Sequence, residues 1–238
     1  MPPFSDKALT ATLLQYNADK GFEHCRQKVK CVMVGDGAVG KTSLVVSYTT
    51  NGFPTEYVPT AFDNYNVVVR IDGQPLRLQL CDTAGQDDFD SLRPLCYTGT
   101  DIFVVCFSVV SPASLHNAVT KWIPEVRSLC PDATILLTGT QSDLRADVGV
   151  LVRLARYGER PVSEMEARRV AAQCGACGYI ECSALTQHNL KEVFDQAIVH
   201  GLRQQARSRA AADYRAPLPP KPRLKPTPFW KRLFCCTY

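Results

Sequence analysis

The sequence predicts an α/β fold: a mostly parallel, six-stranded sheet with helices on both faces. Three observations carry this. Strand-length apolar runs alternate with segments whose apolar residues recur at helical spacing. One run, Ile102–Phe107, is apolar throughout, as a strand covered on both faces should be. A single Asp72-Gly73 pair between two runs supplies one hairpin, hence one antiparallel edge, because both residues tolerate positive φ.

Taken in order, residues 1–28 contain no turn-bounded apolar run and read as a flexible extension, with Leu9, Leu13 and Leu14 the only helical hint. Val29–Val34 is the first strand and ends at a glycine. The next segment is helical, with Leu44, Val45 and Tyr48 on one face. A polar loop, Thr49–Asp63, precedes strands over Asn64–Ile71 and Pro75–Cys81. After Ile102–Phe107, Ser111 then Pro112 reads as an N-cap followed by proline at the first helical position. Leu115, Val119, Trp122, Ile123, Val126 and Leu129 continue that helix, and Pro124 should bend it. Trp122 lies on the apolar face and reads as core. Thr134–Leu137 is a strand, Ser163 and Glu166 have capping-box spacing, and Tyr179–Cys182 is the last strand. Leu190, Val193, Phe194, Ala197 and Ile198 mark a final amphipathic helix.

Of the 238 residues, 45% are hydrophobic, enough for a sizeable core in one domain of about 29–205. Net charge is +4 but unevenly placed: from Leu202 onward there are nine Lys/Arg and one acid, leaving a net of −4 on the preceding residues. A basic tail over 206–238 suits a phosphate-bearing partner, an anionic membrane surface rather than nucleic acid. The 11 cysteines are irregularly spaced and several sit in apolar runs, so a reducing compartment is expected. No charged-then-apolar leader is visible, no run of 18 apolar residues occurs, and Pro2 stands where N-myristoylation needs glycine.

Ligands of such sheets bind beyond the carboxyl ends of the strands. There, Gly35-Asp36-Gly37-Ala38-Val39-Gly40-Lys41-Thr42 matches the phosphate-loop pattern in full, between a strand and a helix. Its glycines let backbone N–H groups turn toward a phosphate, and the helix N-terminus adds a positive dipole end. Lys41 supplies a point charge to the β- and γ-phosphates, and the Thr42 hydroxyl suits Mg²⁺. The run Asp82-Thr83-Ala84-Gly85-Gln86 also follows a strand. Asp82 can hold the water shell of Mg²⁺, Gly85 admits a backbone N–H to the γ-phosphate, and Gln86 can orient an attacking water.

Thr140-Gln141-Ser142-Asp143 follows the strand at Thr134–Leu137. The Asp143 carboxylate can accept both donors of the guanine N1–N2 edge; adenine would leave the charge unpaired, which disfavours an ATPase or nucleoside kinase. Ser183, Ala184 and Leu185 follow the last strand, where backbone N–H groups can meet guanine O6.

This motif set resembles the Ras-like small GTPases, and within them the Rho family, from about Lys28 to Leu202. Tyr57-Val58-Pro59-Thr60-Ala61-Phe62-Asp63-Asn64-Tyr65 looks like a Rho-type first switch and effector region, and Asp82–Gln86 with the following residues like the second switch. The stretch Ala146–Val162 looks like the Rho helical insert. The Cys81–Asp90 run and the ending Trp230-Lys231-Arg232-Leu233-Phe234-Cys235-Cys236 most resemble the RhoU/RhoV branch.

The resemblance implies a phosphate-loop NTPase with a Ras-like G domain that cycles between GTP and GDP with Mg²⁺. It implies that Thr60 closes on Mg²⁺ and the γ-phosphate, that Phe53 packs against the guanine edge, and that Gly37 leaves room for the arginine of an activating protein. Lys41, Thr60 and Gln86 are then the catalytic set. Hydrolysis should be slow, since no arginine finger is visible, with ~10³–10⁵-fold acceleration supplied in trans. Implied partners are exchange factors, activating proteins and GTP-dependent effectors, CRIB-motif kinases and adaptors among them, acting on actin, cell shape and adhesion from a monomeric switch. The family pattern at the base is Asn-Lys-x-Asp; Thr140 and Gln141 replace its first two residues, which removes the lysine that packs over the base and leads to an expectation of fast exchange. The competing reading is therefore an effector-binding module held mostly with GTP, with hydrolysis of little consequence.

Pro217–Pro228 is proline- and base-rich and reads as polyproline II, either a stiff cationic spacer or an SH3 ligand through Pro219 and Pro222. The chain ends Cys235-Cys236-Thr237-Tyr238, which fits a prenylation box poorly. By resemblance, Cys235 and Cys236 are expected to be palmitoylated, placing a cytoplasmic protein on the inner face of the plasma membrane or on endosomes. Cys174-Gly-Ala-Cys177 reads as structural, with Gly175 ending a helix, since no second cysteine pair accompanies it.

Overall fold

A computed structural model describes residues 25, 27–54, 62–86 and 89–215, with backbone alone for 212–215. The proposed extension up to residue 24, Tyr57–Ala61 with Thr60, and the tail from 216, including Pro217–Pro228, Cys235 and Cys236, lie outside the described residues.

The strands are β1 (Gln27–Val34), β2 (Phe62–Ile71), β3 (Gln74–Thr83), β4 (Ile102–Ser108), β5 (Thr134–Thr140) and β6 (Gly178–Glu181). They form one sheet in the order β2-β3-β1-β4-β5-β6. Only the β2–β3 pair is antiparallel. The turn joining that pair has Asp72 at φ 49° and Gly73 at φ 77°, the two positive angles that a type I′ hairpin demands. The helices are α1 (Lys41–Thr50), α2 (Pro112–Asn117), α3 (Ile123–Leu129), α4 (Val148–Ala155), α5 (Glu164–Gln173) and α6 (Leu190–Arg215).

Alternation along the strands sorts the core into two layers. Val32 and Val34 face one side with Phe103, Val105, Phe107, Ile135 and Leu137, beneath α2, α3 and α5. Cys31 and Met33 face the other with Val104, Cys106 and Leu136, beneath α1 and α6. Every residue of β4 is buried, as its continuous apolar run requires. Tyr48 of α1 stacks on Phe194 of α6 with ring centroids 4.0 Å apart, which ties the two helices over the sheet.

Pro124 acts differently from a simple bend. A π-helical turn, Ala118–Trp122, separates α2 from α3, and Pro124 sits in the first turn of α3. The missing N–H and the ring clash are absorbed by widening the preceding turn. Ser111 precedes α2 but makes no side-chain cap; Ser114 Oγ instead accepts from Ser108 N–H at 3.0 Å. Ser163 does cap α5, accepting from Glu166 N–H at 3.2 Å. At the other end of α5, Gly175 takes φ 65° and the N–H groups of Gly175 and Ala176 return to Ala172 and Ala171 carbonyls. That is a Schellman ending, so Cys174 and Cys177 flank a helix stop and are not joined. Several strands run longer than their apolar cores: β2 begins at Phe62 and β5 extends through Thr140.

Because β1, β3, β4, β5 and β6 run parallel, the loops after Val34, Thr83, Thr140 and Glu181 gather at one end of the sheet. The candidate residues occupy that end.

Candidate functional site

The loop Gly35–Gly40 leaves β1 and enters α1. A Cβ at Gly35, where φ is 144°, would lie 2.2 Å from the Cys106 carbonyl oxygen, so the chain passes only with glycine there. Lys41 is buried and folds back over the loop, donating from Nζ to the Gly35 and Asp36 carbonyls at 2.8 and 2.7 Å. Burial lowers its pKa, while Cys106, Asp82 and Asp36 pull the other way. Thr42 Oγ1 donates to Asp82 Oδ2 at 2.5 Å, and Asp82 is wholly buried. A hydroxyl and a carboxylate held this close at a helix N-terminus form a hard-oxygen pair of the kind Mg²⁺ takes.

The second loop lies directly on the first. A Cβ at Gly85 would approach the Asp36 carbonyl carbon, the Gly35 oxygen and the Gly37 nitrogen to within 2.3–2.4 Å. The nearest atom to a Cβ at Gly37 is Gln86 Cγ, at 4.0 Å. Thus Gln86 borders the open side of Gly37, and backbone meets backbone beside it.

The base-side residues divide into two groups. Thr140 is buried and its hydroxyl lies 2.5 Å from the Val39 carbonyl and 2.9 Å from that of Phe107, so it staples β5 to the phosphate loop. Gln141, at φ 59°, donates from Nε2 to the Ala38 carbonyl at 3.1 Å and accepts from Ser108 Oγ at 2.5 Å. The side chain that replaces the family's lysine is therefore hydrogen-bonded to the phosphate loop. Asp143 Oδ1 accepts from Ser183 Oγ at 2.5 Å, which joins the loops after β5 and β6. Ser183 Oγ also accepts from Thr186 N–H, and Ser47 Oγ of α1 donates to the Ala184 carbonyl. Leu185 and Phe53 are exposed at the rim. Of the proposed effector stretch, Phe62, Asp63, Asn64 and Tyr65 open β2, with Phe62 and Asp63 paired opposite Thr83 and Asp82.

Two functional features escape sequence reasoning. Asp36 is gripped from α2 and the π turn: Asn117 Nδ2 donates to Oδ2 at 2.7 Å and Trp122 Nε1 to Oδ1 at 2.6 Å. Trp122 is core, as its spacing implies, but it is also a contact to the phosphate loop. The available signal was its indole N–H, which needs an acceptor once buried. The second feature is Arg93, which is 3% exposed. It donates to the Ala84 and Gln86 carbonyls, to Glu125 and to Asp90, and its guanidinium lies 4.5 Å from the Trp122 ring centroid. One buried cation thus holds the second loop on both sides of Gly85.

Comparison with known proteins decides the family. The Ras family model matches residues 30–203, most of the chain. The chain belongs to the Ras family. Within it, the chain is 58% identical over 180 residues to the Rho-related GTP-binding protein RhoV of Rattus norvegicus, covering 75% of this chain and 76% of that protein. The human and Bos taurus proteins of the same name are each 57% identical over the same shares. This Ras-family member is therefore a Rho-related GTPase of the RhoU/RhoV branch: a guanine-nucleotide-binding GTP hydrolase that works as a signalling switch. Among the described residues of the GTPase, no helix is long and apolar enough to cross a membrane.

Proposed function

We propose that this switch hydrolyses GTP slowly on its own and signals through a surface that depends on the nucleotide's γ-phosphate. The observation that carries this is the contact of Gly85 with the backbone of Gly35, Asp36 and Gly37, with Gln86 beside Gly37. Phosphate-dependent movement at the first loop cannot leave the second unaffected when their backbones touch.

The residues have distinct tasks. Gly35–Lys41 offers backbone N–H groups and the Lys41 ammonium to phosphate oxygens; Thr42 and Thr60 are the protein ligands of Mg²⁺, with Asp82 reaching it through water. When bound, Mg²⁺ neutralises charge on the transferred phosphate. Gln86 orients the water, and Gly37 leaves room for an activating protein's arginine. Asp143 reads guanine, assisted by Thr140, Gln141, Ser183, Ala184 and Leu185, with Phe53 at the base edge. Tyr57–Tyr65 is the effector surface, with CRIB-motif kinases and adaptors as candidate partners and the actin cytoskeleton and adhesion as the output. The tail holds the protein on membranes through acylated Cys235 and Cys236.

A second reading, a fast-exchanging module held mostly with GTP, is favoured by one observation: Gln141 ties to Ala38 through a neutral amide on a stem two methylenes shorter than the lysine's. Gln86→Leu separates the two. Water positioning is a transition-state effect, so this variant should slow single-turnover GTP hydrolysis at least tenfold with nucleotide affinity retained. Unchanged hydrolysis would remove Gln86 from its role and leave the exchanging module as the better account.

A further inference from the structure

The exposed side of α4 is apolar as well as its buried side. Val150 and Leu154 pack into the core, as a two-turn helix on a domain surface should. Yet Val148 is 73% exposed, Leu151 39% and Val152 49%, and Tyr157 just beyond the helix is 79% exposed. Val148, Leu151, Val152 and Ala155 stand at i, i+3, i+4 and i+7, one continuous stripe turned away from Val150 and Leu154. Arg153, Arg156 and Arg160 are exposed around it and make no ion pair among the described residues. Asp147 is occupied capping the Val150 N–H at 2.8 Å, which leaves Glu159 as the one exposed acid between Val148 and Arg160 that caps nothing. Residues 1–201 carry a net charge of −4, so this is a positive, apolar island on an acidic body.

We infer that α4 and the turn after it form a second contact with anionic lipid bilayers, separate from the C-terminal tail. Magnitudes favour a bilayer over a protein groove. A stable one-to-one protein interface buries about 800 Å² on each partner, whereas an eight-residue helix is only about 12 Å long. A contact of this size is weak alone but effective as one of two membrane signals on the same chain. The chemistry fits: arginines pair with lipid phosphates, the Tyr157 ring sits at headgroup depth, and Val148, Leu151 and Val152 enter the acyl boundary. This contact goes beyond the tail proposal and does not require it.

The test uses the full, unlipidated chain loaded with GDP and sedimented with phosphatidylcholine vesicles containing or lacking phosphatidylserine. Each arginine reaching the surface is worth about fivefold in affinity. Arg153→Gln/Arg156→Gln/Arg160→Gln should therefore lower binding to the anionic vesicles by up to the order of 100-fold. Leu151→Ser/Val152→Ser should lower it with all charges kept, and both variants should retain GDP. Hydrogen exchange over 148–160 should slow in wild type when anionic vesicles are added. Lys231→Gln/Arg232→Gln tests the tail separately. Unchanged binding by the insert variants, with no protection at 148–160, would overturn the inference; loss in the tail variant alone would then leave the tail proposal standing and a protein groove as the occupant of α4. No dependence of wild-type binding on phosphatidylserine would likewise overturn the inference, and acylation of Cys235 and Cys236 would stand or fall on its own test in cells.

Discussion

The indole N–H of Trp122 donates to Asp36 Oδ1 at 2.6 Å, joining a helix of the core to the second residue of the phosphate loop. The same ring lies under Arg93, which holds the carbonyls on either side of Gly85. A continuous set of contacts therefore runs from the phosphate loop through Trp122 to the loop that carries Gln86.

Trp122→Phe keeps the ring under Arg93 and removes only the N–H. A hydrogen bond to a charged group is worth about 1.5–3 kcal/mol. Part of that loss should appear as faster GDP release, on the order of tenfold, because Asp36 also presents its carbonyl to Lys41 and its backbone to Gly85. Stopped-flow release of a fluorescent GDP analogue measures it. Lower thermal stability with unchanged release would make Trp122 a core residue and nothing more.

Gln141→Lys should slow GDP release relative to wild type. Lysine would trade the side-chain hydrogen bonds to Ala38 and Ser108 for a longer alkyl stem over the base and a charge near the phosphate loop. Release that is unchanged or faster would mean that the tie to Ala38 does the work of the lysine, and would direct attention to Phe53.

The tail proposal rests on residues outside the described structure and is tested in cells. Cys235→Ser/Cys236→Ser should shift the protein from membrane to supernatant on fractionation, and an acylation inhibitor should do the same to wild type. Continued membrane attachment of the double variant, or release by a prenyltransferase inhibitor alone, would contradict it.

Much of this arrangement was legible in the residues. The phosphate loop could be placed because the motif and its strand–helix context agree, and Gly35 shows why the pattern needs glycine: a Cβ there would lie 2.2 Å from the Cys106 carbonyl oxygen. The hairpin at Asp72-Gly73 was legible for the same reason, since two positive φ angles limit the residue choice. What local pattern missed were long-range demands. The end of β5 was hidden because Thr138, Gly139 and Thr140 break the apolar run; yet Gly139 leaves room for its neighbours, since a Cβ there would displace the Tyr179 hydroxyl, 2.4 Å away. Trp122 periodicity gave its burial, but its acceptor lies 86 residues earlier and no spacing rule reaches that far. Arg93 carries no sequence signal of its own, and only the fold reveals that it is buried among five partners.

The central claim is that this site recognises guanine and, through Asp143, refuses adenine. Its most direct test is the affinity of the Mg²⁺-loaded protein for GTP and ATP, in wild type and in Asp143→Ala. Ser183 holds Asp143 through one carboxylate oxygen; in the role proposed for it the carboxylate accepts two base donors, and a site built for such donors rejects a base lacking them by ~10⁴–10⁵-fold. Wild type should therefore prefer GTP by at least 10³-fold, a conservative reading of that range, and the variant should bind GTP weakly with most of the preference gone. Comparable affinities for ATP and GTP in the wild-type protein would contradict the account.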